Sequence, residues 1–414
     1  MKILLLLWKM TTLCAVIILL AGCWSATELK NRAFVSVMIV DLINDEVELT
    51  LGIPLTNRLI PGQTGGTGGD GSQRPVAYVT RSGGTIEEAL QKIQGDIPRK
   101  VAFGQTHSII MGSRFAQKGV GPLLEFVSRN PFLKLNTNLF LVEGSARTKV
   151  AETPATFERF FVSVLNGYIR NHQILSTTVK DLMFSKANGG DGLIPILRFE
   201  MKEPSLKADT SANVGTAGAA ILREGKMVAP TLSPEETSSA RAALGQLKQY
   251  IYSVQSPTDG KEMGFYTTSL TTKIRPFKTK DGLGITIRSY SNAGVIASDS
   301  DIDLSKQENV ERLEKEIKKS ADSTIASVIA RTQGAGADVF NFGRYISVQY
   351  PKDWDKLKGE WRAYYKNRLR IRIESVISLK QVGSSTDSFR SGFIDRGQTG
   401  GEKNGGNEAW NFNP

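Results

Sequence analysis

The sequence has few of the residues that metal sites and many active sites use. Its 414 residues include two cysteines, Cys14 and Cys23, and two histidines, His107 and His172. Two cysteines are too few for a thiolate zinc site or a disulfide framework, and two histidines offer little material for histidine-based catalysis. We expect a structural hydrogen-bonding role for His107 and a surface position for His172. The Walker A, HExxH and GxSxG sequences are also absent, so the sequence predicts no enzyme and no metal or other cofactor.

A glycine-rich stretch at 61–75 contains the letter pattern GxGxxG over Gly66 to Gly71. A dinucleotide site of this kind needs a helix directly after the loop, because the helix N-terminus binds the pyrophosphate. Here Pro75 leads into a strand-like run instead. The pattern therefore does not predict nucleotide binding.

The first 23 residues have the form of a lipoprotein signal. Lys2 and Lys9 make the N-terminus positive. The apolar run from Met10 to Leu20 has the length of the apolar region of a signal peptide and is too short to span a bilayer. The quartet Leu20-Ala21-Gly22-Cys23 has the form of a lipobox. We therefore expect residues 1–22 to be removed and Cys23 to carry a covalent diacylglyceryl lipid. There are two alternatives: an uncleaved N-terminal anchor, and a plain signal peptide in which Cys23 is incidental.

A lipid on Cys23 would determine where the protein lies. Each buried methylene contributes about 0.8 kcal/mol, so two acyl chains anchor stably where one chain holds only marginally. The rest of the chain has no further run of 18 apolar residues, and we expect it on the extracytoplasmic face of a membrane. Because we expect the protein to be exported, we expect no nucleic acid partner. The formal net charge of the whole chain is +11, and loss of Lys2 and Lys9 with the signal peptide leaves +9, a balance that suits anionic headgroups or an acidic partner.

The patterns of strands and helices predict an α+β, multidomain protein in which antiparallel-rich sheets carry flanking helices. The polar stretch 203–216 is interpreted as a boundary between two separately folding regions. An N-terminal mixed α/β domain then covers 23–202 and a C-terminal α+β region covers 203–383, with 203–275 left open as a separate small middle domain. Composition predicts a disordered tail over 384–414.

Local signals place several of the elements. Asn44-Asp45 between two strand-like runs predicts a hairpin. Capping boxes are predicted at Thr85 to Glu88 and at Ser305 to Glu308, and a helix near Ala155 to Asn166. The second box opens a long helix, with a stop at Gly334, whose apolar face should pack on the C-terminal sheet.

The stretch 352–372 is strongly basic, with eight Lys or Arg residues against three Asp or Glu, and two Trp and two Tyr lie among them. One interpretation is that the aromatic residues anchor the core while the arginines form the wet face of the last strand. The other is that Arg368, Arg370 and Arg372 face a partner subunit or anionic headgroups, since arginine and aromatic residues concentrate binding energy at interfaces.

Several motifs occur in an order that resembles the Ger(x)C family, the lipoprotein C subunits of nutrient germinant receptors in spore-forming bacteria. The resemblance covers nearly all of 20–384. In the N-terminal half it rests on Cys23-Trp24-Ser25-Ala26-Thr27-Glu28-Leu29 after the lipobox, Thr85 to Leu90, the strand containing His107, Gly119 to Arg129 and Asn136. In the C-terminal half it rests on Gln333, Ala337-Asp338-Val339-Phe340-Asn341-Phe342-Gly343, Trp354 and Trp361. The glycine-rich stretch 61–75 and the tail depart from the family pattern and are assigned nothing from it.

The resemblance implies a non-enzymatic subunit tethered to the outer leaflet of the spore inner membrane. Its partners would be two membrane proteins of the same receptor, and together they would be needed for assembly and for signalling in response to small nutrients. A solute-binding lipoprotein of a transporter is the alternative, because it shares the anchor and the compartment. An anchored cell-wall hydrolase is a third class, but no acid/base pair supports it. Neither the germinant nor the subunit that contacts it follows from the sequence.

Overall fold

The computed structural model describes residues 3, 5, 7–12, 28–55, 75–152, 158, 160–201 and 212–381. Cys23, most of the predicted signal peptide, nearly all of the glycine-rich stretch 61–75 and the tail 384–414 lie outside these ranges. The structure is mixed, with helices packed on two larger sheets, as the sequence predicts.

Among the described residues, ten strands and six helices build the part of the chain from Arg32 to Leu232. The strands are β1 Arg32–Phe34, β2 Val37–Ile43, β3 Glu46–Pro54, β4 Val76–Gly83, β5 Lys100–Ala102, β6 Ser108–Gly112, β7 Asn138–Val142, β8 Gly192–Met201, β9 Ala212–Arg223 and β10 Lys226–Leu232. The helices are α1 Ile86–Asp96, α2 Ser113–Lys118, α3 Gly121–Arg129, α4 Ala146–Glu152, α5 Phe161–Arg170 and α6 Val179–Ala187.

Eight of these strands form one sheet in the order β10-β9-β8-β7-β6-β2-β3-β4, and β1 pairs with β5 separately. The central strands β2, β6, β7 and β8 run parallel, and the outer pairings are antiparallel. Parallel strands are covered on both faces, which explains why β6 and β7 are continuous apolar runs. Side chains on β2 alternate accordingly: Met38 packs with α1, α2, α3 and α6, and Ile39 packs with α4 and α5.

Local turns and caps in this part follow the sequence closely. Asn44 and Asp45 both have positive φ, 50° and 65°, which is the type I′ geometry that joins β2 to β3. Thr85 caps α1 through a hydrogen bond from the Glu88 backbone N–H. The predicted capping box is present only in part, because the Glu88 carboxylate accepts from the backbone N–H of Gly84 and not from that of Thr85. The helix predicted near Ala155 to Asn166 differs, because α4 ends before this segment and α5 begins within it at Phe161; residues 153–157 lie outside the described ranges.

The second part contains a four-stranded sheet and five helices. They are α7 Pro234–Ala243, β11 Tyr250–Gln255, β12 Glu262–Thr279, β13 Gly282–Ser298, α8 Gln307–Ala335, α9 Phe342–Gln349, α10 Pro351–Leu357, α11 Trp361–Asn367 and β14 Arg370–Gln381. The sheet order is β11-β12-β13-β14, with antiparallel pairings except between β13 and β14. The 29-residue α8 packs on the inner face of this sheet, which confirms the predicted long helix.

The capping box predicted at Ser305 to Glu308 is wrong. The N-cap of α8 is Lys306, which makes no side-chain cap hydrogen bond. The Ser305 hydroxyl donates instead to Asp303 Oδ1 at 2.5 Å. The serine therefore closes a turn with the residue two positions before it, a local alternative that serine and aspartate commonly adopt.

The eight-stranded sheet crosses the boundary predicted at 203–216. Most of that stretch lies outside the described residues, and the strands on its two sides, β8 and β9, pair with each other. Ile221 of β9 also packs in one apolar cluster with Ile285 of β13 and Val328 of α8. The two regions thus share a sheet and an apolar cluster. Their separate folding stays a prediction. Within 203–275, which was left open as a separate middle domain, β9 and β10 join the first sheet while β11 and β12 belong to the second.

Candidate functional site

The outer face of the four-stranded sheet carries a row of cations, here called the basic face. Its members, all exposed, are Lys273, Arg275, Arg288, Arg370 and Arg372. The register explains their proximity: Arg372 lies beside Thr286, which pairs with Arg275, and Glu374 lies beside Arg288, which pairs with Lys273. Because side chains alternate across a strand, every second residue of β12, β13 and β14 falls on this face.

Two of the three arginines predicted for partner binding belong to the basic face. Arg370 Nη1 lies 3.0 Å from Asp281 Oδ2, and the Arg372 guanidinium lies 4.0 Å from the centre of the Phe277 ring. Arg368 follows α11 and is exposed, but it is not part of β14. The structure therefore places Arg370 and Arg372 together on β14, and Arg368 in the short connection between α11 and β14.

The aromatic residues of the same stretch belong to the core and not to the basic face. Trp361, Tyr364 and Tyr365 are buried, and Trp354 packs edge-on against Trp361 with ring centres 5.2 Å apart. The Tyr364 hydroxyl donates to the Leu283 carbonyl at 3.0 Å, which ties α11 to the start of β13. These rings fix the segment that precedes the arginines.

A polar group with a buried centre, here called the junction cluster, joins the two sheets; Asp191, Asp338 and Trp361 are buried, and Glu224 is exposed. It consists of Asp191, Glu224, Asp338, Trp361 and Arg362. Asp191 directly precedes β8, and Glu224 lies in the turn between β9 and β10. Asp338 follows α8, while Trp361 and Arg362 open α11. The cluster therefore connects elements that are far apart in the sequence.

Asp191 is the centre of the junction cluster. Its carboxylate accepts hydrogen bonds from the backbone N–H groups of Glu224 at 2.8 Å and Asp338 at 3.0 Å. Arg362 donates to both carboxylate oxygens, at 2.6 and 3.0 Å, which is the bidentate geometry that gives strong charge-assisted pairs. The Asp191 side chain is fully buried. All its partners are thus fixed in one arrangement.

Asp338 organises the family-like segment Ala337 to Gly343. Its carboxylate accepts from the backbone N–H groups of Phe342 and Gly343, both at 2.9 Å, and from Trp361 Nε1 at 3.0 Å. Burial raises the pKa of Asp338 to about 6, against three hydrogen bonds that lower it. Position 343 has no room for a side chain larger than that of glycine, because a Cβ there would lie 2.7 Å from Trp354 and 2.9 Å from Trp361.

Sequence reasoning missed Asp191 and Arg362. Arg362 was counted only among the basic residues of 352–372, and Asp191 lies between glycines with no pattern that marks it. Asp338 and Trp361 were noted through the family resemblance, but their hydrogen bond was not predicted. A pairing over 171 residues leaves no signal in local spacing.

The remaining candidates from the sequence add no chemistry. His107 and His172 are both exposed. The His107 backbone carbonyl accepts a hydrogen bond from the Asn138 N–H, and the His172 backbone carbonyl accepts one from the Arg241 guanidinium. Among the residues that the structure describes, no group of three His, Cys, Asp or Glu side chains could hold a metal ion. The described helices include none that is long and apolar enough to cross a membrane. Cys23 lies outside the described residues, so its lipidation stays a prediction.

Comparisons with known proteins match both parts of the chain. A family profile for the spore germination protein N-terminal domain matches residues 25–199, and one for the "spore germination B3/GerAC like, C-terminal" domain matches 217–383. Spore germination protein KC of Bacillus subtilis is 20% identical, with 92% of this chain and 96% of that protein covered. Spore germination protein B3 of the same organism is 23% identical, with 85% and 92% covered.

A solved structure supports the fold. The crystal structure of the GerBC protein superposes with a TM-score of 0.53 at 16% identity and covers 84% of this chain and 97% of that one. At this identity the likeness concerns the fold alone. With both domain profiles matched in order, and with relatives covered over nearly their whole length, the chain belongs to the GerAC family of spore germination proteins.

Proposed function

We propose that this protein is a lipid-anchored, non-enzymatic subunit of a nutrient germinant receptor. Diacylated Cys23 would hold it at the outer leaflet of the spore inner membrane, together with two membrane-protein subunits of the receptor. The observation that carries the proposal is the combination of a lipobox ending at Cys23 with family profiles that match 25–199 and 217–383. Its role there is receptor assembly and the transmission of the germination signal.

The basic face supports a contact role. Two of its five exposed cations are paired, Arg370 with Asp281 and Arg288 with Glu374. The basic face therefore keeps an excess of positive charge. Such a surface favours an acidic partner or anionic headgroups, each cation near an anionic surface contributing about 1 kcal/mol. An anchored protein is already held beside both kinds of surface.

The anchor is tested by replacing Cys23 with alanine in sporulating cells supplied with a labelled fatty acid. We expect the wild-type chain to incorporate the label and to sediment with spore membranes. Cys23→Ala should lose both properties. Cys14→Ala is the matched control, because Cys14 is expected to leave with the signal peptide, and it should behave as wild type. Label in the Cys23→Ala protein would contradict the proposed anchor.

A further inference from the structure

A cavity of about 320 Å³ lies between the inner face of the four-stranded sheet and helices α7 and α8. It divides the C-terminal core. Ile317 belongs to an apolar cluster on one side, with Phe265, and Ile325 belongs to a cluster on the other side, with Ile285; both isoleucines line the cavity. Its volume falls in the range of about 300 to 1,000 Å³ that is typical of small-molecule sites.

The sequence creates this space by placing small residues where the pattern calls for large ones. On the inner face of β13, Ile285 and Ile287 are followed by Ser289, and Ser375 of β14 lies directly beside that serine. Protein cores are normally close-packed, so leucine or isoleucine would be expected at these two positions. The cavity is therefore built into the residue pattern of the strands.

Helix α8 also carries small side chains where it faces the cavity. The residues that face the cavity between its two apolar segments are Ser320, Ala321 and Thr324. They occupy the positions at which the apolar stripe of the helix would otherwise continue from Ile317 to Ile325. Small side chains on both surfaces hold the cavity open.

The lining combines hydroxyl groups with an aromatic wall. At the base, Ser289 Oγ donates to Ser375 Oγ at 3.0 Å, and both serines are buried. Tyr250 and Tyr252 of β11 stack at 5.9 Å between ring centres with an interplanar angle of 12°, and both line the cavity. Burial raises the pKa of Tyr252, so its hydroxyl stays protonated at neutral pH.

Charge restricts what this cavity can accept. Among the described residues that line it, Glu235 is the one charged group, and none is Lys, Arg or His. A carboxylate or phosphate would be desolvated there with no cation to pair with, which is costly. Serine, threonine and tyrosine hydroxyls both donate and accept hydrogen bonds, and an aromatic face packs against apolar C–H surface.

We propose that this cavity binds a small uncharged polyhydroxylated molecule of monosaccharide size. Its apolar face would pack on Tyr250, and its hydroxyl groups would pair with hydroxyls at the base and with the exposed Glu235 carboxylate in the first turn of α7. The proposal goes beyond the proposed function, which assigns no ligand site to this chain.

The test is calorimetric titration of the full-length protein in a detergent that has no sugar headgroup. D-glucose, D-xylose and myo-inositol are the neutral probes, and glucose 6-phosphate and L-alanine are the charged comparators. We expect saturable binding of at least one neutral probe at millimolar concentration and none of either comparator. Absence of saturable binding for all three neutral probes, or tighter binding of a comparator, would overturn the proposal.

Variants locate the binding. Ser320→Leu fills the cavity, and Tyr250→Ala removes the stacking surface without filling it. Each should weaken binding by about tenfold or more, which corresponds to about 1.4 kcal/mol. Ser323→Leu, on the exposed side of the same helix, is the matched control and should bind as wild type. If a probe binds equally well to the wild-type chain and to Tyr250→Ala, the assignment to this cavity is wrong.

Discussion

Replacing Asp191 by asparagine should destabilise the whole chain, because this carboxylate joins the two sheets. The change keeps the shape of the side chain but turns one acceptor oxygen into an NH₂ donor. On either oxygen that donor would face a backbone N–H, of Glu224 or of Asp338, and the Arg362 guanidinium as well. A buried donor left without an acceptor costs about 1 to 3 kcal/mol, and breaking a buried ion pair from one side costs about 3 to 5 kcal/mol. We therefore expect a loss of about 3 to 5 kcal/mol in the free energy of unfolding.

Urea unfolding of the full-length protein, followed by circular dichroism and tryptophan fluorescence, measures this loss. The five tryptophans lie at 8, 24, 354, 361 and 410, and of these Trp354 and Trp361 pack in the second part and report on its unfolding. Asp281→Asn is the matched control, because Asp281 pairs with Arg370 on the exposed surface and should cost less than about 1 kcal/mol. Equal, small losses in Asp191→Asn and Asp281→Asn would refute the role given to the junction cluster.

Two further predictions concern charge. The pKa of Asp338 is raised from 3.8 to about 6 in the folded chain, so the folded state binds this proton more tightly and the group contributes stability at low pH that is lost as the pH rises toward 6. The stability advantage of wild type over Asp338→Asn should therefore fall by up to about 3 kcal/mol between pH 4 and pH 7, measured by urea unfolding; an advantage that grows over this interval would contradict it. Replacing Arg368, Arg370 and Arg372 together by glutamine should weaken retention of the receptor's membrane subunits in pull-downs by up to about 100-fold at low salt, and the difference should shrink as salt rises. The matched control replaces three exposed lysines of α8 by glutamine: Lys315, Lys318 and Lys319. It removes the same charge and should leave retention unchanged. Equal effects of the two triple variants would show that total charge, and not the basic face, is responsible.

Elements with a strong local pattern were predictable from the sequence. Helix α8 was expected to begin near Ser305 and to stop at Gly334, and it runs from Gln307 to Ala335 because its apolar residues recur on one face. Its end is set by Gly336, whose φ of 64° suits a left-handed C-cap. The hairpin at Asn44-Asp45 was predictable for a similar reason, since both residues tolerate positive φ.

Features that depend on distant partners were not predictable. The pairing of β8 with β9 on the two sides of the polar stretch 203–216 was not predicted, because hydrogen bonding between strands leaves no mark on local composition. The role of Arg362 was hidden among other basic residues, because only the fold brings it to Asp191. The paired serines Ser289 and Ser375 became visible as a cavity base only once the register of β13 and β14 was known.

The central claim is that this chain works as an anchored subunit of a receptor. The most direct measurement is affinity purification of the tagged wild-type chain from detergent-solubilised spore membranes, followed by mass spectrometry of what remains bound. We expect the acylated chain to be recovered with two membrane proteins in constant proportion. Recovery of the chain without membrane-protein partners, or with the ATPase and permease of a transporter, would contradict it.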